Sequence, residues 1–408
     1  MLKIREKLQT YALPALILLL YLLITIFSLT RSNFLAITLE TFSQAQLLVL
    51  AMLLFGLLCS WLIMIYIKPT INKFLKIIIP LVLLLGLITP PLLSNDIPAY
   101  FLNAQIIYSE NKNPYQTPLK SIVMPAELQS IWWVNFPSPY GPIFLLLLLL
   151  PWLISFSYLF IFIYAYKLLV LVAFLTSYWL FSKLRQKNNA PPYFDLLFLL
   201  NPALLINLVV EGHNEVFIIL FLLLFLYFKA NAFKGLLYIS AASLIKFTAL
   251  IIWPLTWFKD QKLNLKSFVY SSLSLLIICL LFFSLAKLSP LNFIKQNIFF
   301  INSFCFYVCP PFDRLIGFLS ANIISQVKII GFALVYSTIT YWFLFKKHDP
   351  LKFIVWSFMA LFFIQTKWLT PWYTIIIIPF SLLINNKKYL LLTAVITAYS
   401  LLHYLRLI

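Results

Sequence analysis

The sequence is poor in glycine and in histidine. Its 408 residues include 7 glycines, which are not clustered. Loops that cradle nucleotide phosphates need closely spaced glycines, because the backbone must come near the phosphate. The sequence therefore predicts no nucleotide-binding loop. The 3 histidines, His213, His348 and His403, lie far apart, so no set of Cys and His residues has the spacing of a zinc site.

Cysteine is scarce as well. Of the 4 cysteines, Cys59 and Cys279 lie in apolar runs and are interpreted as packing residues. Cys305 and Cys309 share one short segment, which allows a disulfide if that segment faces an oxidising compartment. Spacing alone does not fix disulfide geometry, so the paired and the free state both stay open.

Charged residues make up only 10% of the chain, whereas 63% is hydrophobic and 18% aromatic. A soluble protein of this length has too little interior to hide so much apolar surface. Apolar runs at 12–29, 47–67, 268–285 and 329–345 have the length that a helix needs to cross about 30 Å of hydrocarbon. No alternating pattern indicates a barrel. The sequence predicts an all-α polytopic membrane protein.

Basic residues outnumber acidic ones, with 30 Lys and Arg against 11 Asp and Glu. They fall in short segments between apolar runs, which is typical of cytoplasmic loops. We interpret this charge as a topology signal with contacts to anionic membrane lipids, not as a nucleic-acid surface.

The positive-inside rule orients the chain. Basic segments at 3–7 and 68–76 lie inside, so the third span places the polar segment 94–142 outside. Polar stretches at 211–215, 287–325 and 366–372 fall on the same side. The charged residues of these stretches include Asp96, Glu211, His213, Glu215, Asp313, Arg314 and Lys367. The sequence therefore predicts a site at the outer membrane boundary.

Two apolar regions do not fit simple crossings. Region 143–181 is long enough for two spans, yet the basic cluster after it belongs inside, so we interpret it as one crossing plus an interfacial piece broken near Pro151. Region 236–258 lies between two basic loops, and we favour a hairpin of two half-helices with Lys246 at its tip over a single crossing. The total is about 11 to 13 membrane helices.

Asp96 is the leading candidate for catalysis. A carboxylate at a dielectric boundary has its pKa raised by partial desolvation, and a nearby cation counters that effect. Such a group suits a general base that takes a proton from a sugar hydroxyl. The alternative is an aspartate with a purely structural role at a helix end.

Other charged residues near this boundary allow more than one interpretation. Lys246 lies among apolar residues, and three interpretations of it are open. It binds a phosphate, it pairs with Glu211 or Glu215, or its ammonium group reaches the membrane interface. Glu211 and Glu215 share a face if their helix continues, unless Gly212 breaks it. Lys367 precedes Trp372 and Tyr373, a pattern that suits a phosphate contact beside sugar-stacking rings or an ordinary aromatic belt.

A series of short motifs follows one order along the chain. They are Asp96, Tyr100, Asn113-Pro114-Tyr115, Tyr140-Gly141-Pro142, Asn201-Pro202, Gly212-His213-Asn214-Glu215, Lys246 with Pro254, and Pro371-Trp372-Tyr373. In this order the motifs resemble the GT-C superfamily of membrane glycosyltransferases, and most closely the polyprenyl-phosphate-mannose-dependent α-(1,6)-mannosyltransferases. The resemblance covers roughly 80–375, and it departs from the family pattern at Glu215, where Asp is usual, and at Lys112, where Gly is usual.

The resemblance implies transfer of a hexose, with mannose as the best choice, from a polyprenyl-phosphate sugar to a glycan or glycolipid acceptor. Asp96 is the implied base of an inverting reaction at the extracytoplasmic face of the inner membrane. Lys246, Lys367 and Arg314 are the implied contacts to the donor phosphate. Implied sugar and acceptor contacts are Tyr100, Asn113, Tyr115, Tyr140, Glu211, His213, Asn214, Glu215, Trp372 and Tyr373.

The resemblance also implies one membrane domain with a large extracytoplasmic catalytic loop. We divide it into an N-terminal two-helix extension (1–76), a GT-C-like catalytic core (77–375) and C-terminal helices (376–408). No cofactor is implied, and the residues leave room for a divalent metal without supporting one.

Two other functions remain open from the sequence. A transporter or flippase of lipid-linked sugars is expected to have ionisable residues in the middle of several spans and pseudo-symmetric halves. Lys246 and Lys167 are the mid-span candidates, and no repeat is visible. A ligase or polymerase of lipid-linked sugars is expected to depend on external Arg and His residues, and Arg314 is the only Arg between Arg185 and Arg406.

Overall fold

A computed structural model describes residues 11–30, 43–124, 128, 132–259, 262–287, 289, 321–366 and 369–404. Arg314, Lys367, Asp313, Cys305 and Cys309 lie outside the described residues.

The first part of the described chain forms helices that lead to and away from the polar segment. They are α1 (Leu13–Leu29), α2 (Gln44–Ile67), α3 (Lys73–Ile88), α4 (Asp96–Tyr108), two short 3-10 turns (Leu119–Ser121 and Trp132–Asn135), α5 (Pro142–Leu147), α6 (Leu149–Ser155), α7 (Leu159–Lys187) and α8 (Tyr193–Val210).

The remainder is also helical apart from one two-stranded antiparallel pairing. Its elements are α9 (Glu215–Phe228), α10 (Ala232–Ile245), a 3-10 helix (Phe247–Trp257), β1 (Phe258–Lys259), β2 (Lys262–Leu263), α11 (Leu265–Ala286), α12 (Ala321–Thr340), α13 (Pro350–Ala360), α14 (Pro371–Thr374), α15 (Ile377–Leu383) and α16 (Lys387–His403).

Within these residues, five helices are long and apolar enough to cross a membrane: Gln44–Ile67, Leu159–Lys187, Tyr193–Val210, Leu265–Ser284 and Gln326–Lys346. Shorter apolar helices accompany them. α8 lies at the centre, with 94% of its apolar window buried, whereas the windows of α11 and α12 are only 11% and 17% buried. Apolar helices that stay exposed need a lipid solvent. The predicted class, an all-α polytopic membrane protein, is confirmed.

Two short helices precede α7 where the sequence predicts an interfacial piece, whose position in the membrane stays a prediction. α5 ends at Leu147 and α6 begins at Leu149, because Pro151 has no N–H for the Leu147 carbonyl and its ring crowds that turn. Tyr108 at the end of α4 donates to the Leu145 carbonyl at 2.8 Å. α5 and α6 therefore pack along α4, and only α7 continues through the bundle.

The predicted hairpin around Lys246 is also present. α10 ends at Ile245, and Lys246 has an extended backbone (φ −153°, ψ 127°) before the 3-10 helix begins. The ring of Phe247 lies 5.0 Å from that of Phe282, and Trp257 lies 5.1 Å from Phe268. The 3-10 helix therefore runs antiparallel to α11 and away from the tip.

Basic loops gather at the opposite end of the bundle from Lys246. Lys229 lies near Lys187 and Asp349, and Phe258 contacts Phe345 with ring centroids 5.1 Å apart. Loops that are distant in sequence thus share one end, as the positive-inside rule requires of cytoplasmic loops.

The N-terminal and C-terminal helices pack directly on the core. Trp61 of α2 donates to the Leu197 carbonyl of α8 at 3.0 Å. Asn201 donates to Thr397 of α16, and Asn207 donates to Ser400, both at 2.9 Å. One continuous apolar core joins these segments. The division into extension, catalytic core and C-terminal helices stays a prediction.

Gly141 allows the hairpin tip to touch the polar segment. Its N–H donates to the Ile245 carbonyl at 2.9 Å, and an added Cβ would lie 2.0 Å from the Leu244 carbonyl oxygen. We expect Gly141→Ala to destabilise the protein by about 3 kcal/mol, because backbone cannot yield as a side chain can. Unfolding in detergent checks this. Gly235→Ala is the matched control, since its Cβ would meet Phe225 at an ordinary 3.6 Å; equal stability of the two variants would contradict the prediction.

Candidate active site

Asp96 is the first residue of α4, and its side chain is buried. Its Oδ2 lies 3.0 Å from His213 Nδ1, and Tyr100, one helical turn later, donates to the same oxygen at 3.4 Å. The backbone N–H of Asp96 donates to Ser94 Oγ at 3.1 Å. The carboxylate therefore sits at a fixed position with two side-chain partners.

The surroundings of Asp96 keep it ionised. Burial raises the pKa of this carboxyl, but the hydrogen bond and charge of His213, followed by Lys246 and Tyr100, outweigh burial and leave the pKa below its ordinary value. The predicted effect of desolvation, which raises the pKa of Asp96, is present, but the lowering effects of its partners exceed it. An ionised carboxylate accepts protons, which is the property a general base needs.

The loop between α8 and α9 brings His213 to Asp96. Gly212 has a φ of +69°, and an added Cβ would lie 2.6 Å from Ile97 Cδ1. This close approach of the loop to α4 requires glycine. The break at Gly212 also ends the helix that would have placed Glu211 and Glu215 on one face, so that alternative does not occur.

Two aromatic rings from the C-terminal part of the chain complete the contacts. Trp372 stacks on the His213 ring with centroids 4.2 Å apart and planes 17° from parallel. The Lys246 Nζ lies 4.0 Å from the centroid of the Tyr373 ring, in cation–π geometry. The Pro-Trp-Tyr motif therefore joins the site on two sides.

Lys246 pairs with Glu215 and not with Glu211. Its Nζ donates to Glu215 Oε1 at 2.6 Å, and the two side chains are 14% and 0% exposed. Lys246 also lies close enough to Asp96 to interact with its charge. Among the described residues, the site thus contains two carboxylates, one held by a histidine and one by a lysine.

An aromatic wall closes the site behind Asp96. The ring of Tyr100 lies 4.8 Å from Phe144 and 5.2 Å from both Tyr140 and Tyr166. Burial, followed by the charge of Asp96, raises the pKa of Tyr100 and of Tyr140 well above its ordinary value. Both hydroxyls therefore stay protonated and able to donate hydrogen bonds.

Several buried polar atoms of this cluster have no hydrogen-bond partner within the described part of the chain. They are His213 Nε2, Asn214 Nδ2, Glu215 Oε2 and Tyr166 Oη. Leaving such a group unpaired costs about 1–3 kcal/mol. Tyr166 lies near Glu215 and Asp96, so the four atoms belong to one region. Their mixture of donors and acceptors matches the hydroxyl groups of a sugar.

Three predicted site residues lie elsewhere. Glu211 accepts the backbone N–H groups of Leu92 and Leu93, each at 2.9 Å. Asn113 donates to the Ala286 carbonyl at 2.9 Å, and Tyr115 packs on Phe282 with rings 5.2 Å apart. Asn113 and Tyr115 therefore anchor the polar segment on α11, and their predicted contact with sugar or acceptor stays a prediction, as does that of Glu211.

Sequence reasoning did not include Tyr166 in the site. The residue lies inside an apolar run of α7, and only its neighbour Lys167 carried a signal there as an intramembrane cation. The sequence leaves room for a divalent metal without supporting one. In the part of the chain that the structure describes, no three His, Cys, Asp or Glu side chains come together as metal ligands do.

Comparison with known proteins identifies the family. A family model described as alpha-(1->6)-mannopyranosyltransferase, N-terminal domain, matches residues 23–259. The chain belongs to this family. It is therefore a membrane glycosyltransferase of the mannosyltransferase type, as the motifs predicted. The match includes Asp96, His213, Glu215 and Lys246 and ends before Trp372. No curated protein and no solved structure matches the chain.

The Lys246–Glu215 pair yields a prediction for stability. Lys246→Met leaves the Glu215 carboxylate buried without its cation, and we expect a loss of about 3–5 kcal/mol in the free energy of unfolding. Lys246→Met/Glu215→Gln removes both charges and is expected to recover most of this loss. Unfolding in detergent measures both effects.

Lys352→Met is the control for this prediction, because its 2.7 Å pair with Asp349 is partly exposed. We expect that change to stay within about 1 kcal/mol. A double variant at Lys246 and Glu215 that is less stable than Lys246→Met would show that charge compensation is not what the pair provides.

Proposed function

We propose that the protein transfers a mannosyl group from a polyprenyl-phosphate mannose donor to a hydroxyl of a glycan or glycolipid acceptor. Asp96 is the general base, and the anomeric carbon inverts. The observation that carries this proposal is the contact between Asp96 and His213, which gives the family's early aspartate an ionised, oriented carboxylate among sugar-compatible polar groups. Family membership supports mannosyl transfer.

The reaction needs one proton transfer and one displacement. The acceptor O–H gives its proton to the Asp96 carboxylate while its oxygen attacks the anomeric carbon of mannose. The bond from that carbon to the phosphate oxygen breaks, and polyprenyl phosphate leaves with the bonding electrons. Attack from the face opposite the leaving group inverts the anomeric carbon.

Lys246 is the proposed contact for the leaving phosphate. Negative charge grows on that phosphate in the transition state, so a cation fixed nearby lowers the barrier. Its ammonium group has three donors, and Glu215 takes one of them, so the pair with Glu215 does not prevent a phosphate contact. Lys367 and Arg314 are proposed as further phosphate contacts because the family resemblance implies them.

The sugar is proposed to bind against the polar atoms of His213, Asn214 and Glu215 that have no partner among the described residues. Hydroxyls that satisfy these atoms recover the free energy lost in burying them. The Trp372 ring offers an apolar face of the kind on which sugars stack.

The proposed side of the membrane follows from the separation of basic loops and site. Loops that carry Lys187, Lys229 and Asp349 meet at one end, and Lys246 and Asp96 lie at the other. The positive-inside rule assigns the basic end to the cytoplasm, and therefore the site to the extracytoplasmic face of the cell membrane. The polyprenyl tail is then accommodated by lipid or by the exposed apolar helices.

The test uses the purified full chain in lipid nanodiscs with a broad set of glycolipid acceptors. Radiolabelled polyprenyl-phosphate mannose, the corresponding glucose and pentose lipids, and a nucleotide-linked mannose are offered separately. We expect transfer from polyprenyl-phosphate mannose alone. Preference for another lipid-linked sugar would overturn the choice of mannose, and transfer from the nucleotide sugar would overturn the donor class.

Asp96→Asn tests the base. The amide keeps the size of the side chain and a hydrogen bond to His213, but it cannot take up the proton. We expect the transfer rate to fall between about 100- and 10,000-fold while the thermal unfolding temperature changes little. Glu110→Gln, an exposed change in the same polar segment, is the control and should keep its activity. A well-folded Asp96→Asn protein with normal turnover is incompatible with the assignment.

The pH profile tests the environment of Asp96. Because the pKa of Asp96 lies below the ordinary aspartate value of 3.8, the base stays ionised at any pH above that value. We therefore expect kcat/KM to fall only when the pH drops below 3.8. His213→Ala removes a lowering influence and leaves burial, which raises the pKa, so the acid limb should move to higher pH. Measurement of kcat/KM across the acid range for both proteins, with Glu110→Gln as control, decides this. An unmoved limb in His213→Ala would refute the role of the contact.

A further inference from the structure

We propose that Lys167 and Glu211 act together as positioning residues that hold the turn between α3 and α4, and thereby place Asp96 for the reaction. This rests on the proposed function, in which Asp96 is the base. Neither side chain touches the proposed reacting atoms. Both are fully buried, and each makes two hydrogen bonds to the backbone that precedes Asp96.

Lys167 fixes the beginning of the turn. From the middle of the bundle, its Nζ donates to the Gly86 carbonyl at 2.9 Å and to the Thr89 carbonyl. These carbonyls belong to the C-terminal end of α3, where the last turn has no intrahelical donors. The helix dipole also favours a cation at this end.

Glu211 fixes the end of the turn. Its Oε1 accepts the Leu92 N–H and its Oε2 accepts the Leu93 N–H, both at 2.9 Å. A carboxylate with one N–H on each oxygen is held in both position and orientation. His213, two residues later on the same loop, contacts Asp96 itself. One loop therefore controls both the turn and the carboxylate that follows it.

The sequence of the turn explains why partners from other helices are needed. Pro90 and Pro91 have no N–H, so the turn cannot close with its own backbone hydrogen bonds. Ser28 donates to the Pro90 carbonyl at 3.1 Å, and Thr25 contacts the Thr89 side-chain hydroxyl at 2.7 Å. Lys167 donates to two carbonyls before these prolines, and Glu211 accepts from the two N–H groups after them.

Lys167→Met is the main test, because methionine keeps the length of the side chain without the ammonium group. We expect kcat to fall about 100-fold, with KM for the donor unchanged, since a displacement of about 1 Å at a catalytic group has an effect of that size. We also expect the acid limb of the kcat/KM profile to move to higher pH, because Asp96 then separates from His213. A residue that only stabilises the fold would change neither property in the folded fraction.

Glu211→Gln and the double variant Lys167→Met/Glu211→Gln complete the set. If the two residues act on one turn, the double variant should lose less activity than the product of the two single losses. Multiplicative losses would show that the residues act independently and would overturn the proposal, as would a folded Lys167→Met protein with normal kcat and pH profile.

Backbone hydrogen exchange gives a readout that does not depend on turnover. The amides of Leu92 and Leu93 should be protected in the native chain and exchange at least tenfold faster in Lys167→Met and Glu211→Gln. Arg185→Met, which removes a buried cation from the 2.8 Å pair with Asp195 at the basic end, should lose stability while those two amides stay protected. If the native chain transfers no sugar, the proposed function fails, but exchange still tests whether the pair holds the turn; unchanged protection in both variants overturns it.

Discussion

The site depends on keeping the Asp96 carboxylate charged inside an apolar protein. A buried carboxylate without partners takes up a proton and loses its basicity. Here His213 faces one carboxylate oxygen at 3.0 Å, and Lys246 neutralises the neighbouring Glu215, so that the two carboxylates do not compete for one partner. This arrangement requires three chain segments to end at the same depth: the start of α4, the α8–α9 loop and the tip of the α10 hairpin. Much of the bundle can be understood as the means of bringing these three ends together.

The parts of the fold that follow from the lipid solvent were predictable from the sequence. Span length and the placement of basic residues were sufficient to predict the helical class, the hairpin at Lys246 and the single long helix after Pro151. The polar stretches at 94–142 and 211–215 also predicted a site at the outer membrane boundary, although they left open whether Glu215 and Lys246 come close to Asp96. These features depend on one-dimensional properties, namely apolar length, charge and proline position, which the chain displays directly.

Partner choice could not be predicted in the same way. Whether Lys246 meets Glu211 or Glu215 depends on the rotation of the helices, and one residue rotates the side-chain direction by about 100°. The left-handed backbone of Gly212 ends the helix, and the Glu211 side chain binds the backbone of Leu92 and Leu93 before Asp96 instead of lying beside Lys246. Asn113 shows the same limit, because no sequence pattern indicated that its amide donates to the Ala286 carbonyl at the end of α11. Its predicted contact with a sugar stays a prediction. Such outcomes depend on loop geometry and on which backbone groups lack partners, neither of which can be read from a motif.

The family match and the site do not cover the same part of the chain. The match ends at 259, yet Trp372 stacks on His213 and Tyr373 packs on Lys246. A ring held against His213 limits the rotation of the imidazole and therefore the direction of its bond to Asp96. The Tyr373 ring attracts the Lys246 ammonium group through a cation–π contact and shields one side of it from water. His213 and Lys246, which contact the two carboxylates, are thus held from outside the matched region. The matched segment contains the proposed reacting groups, and the C-terminal part of the chain restricts their geometry.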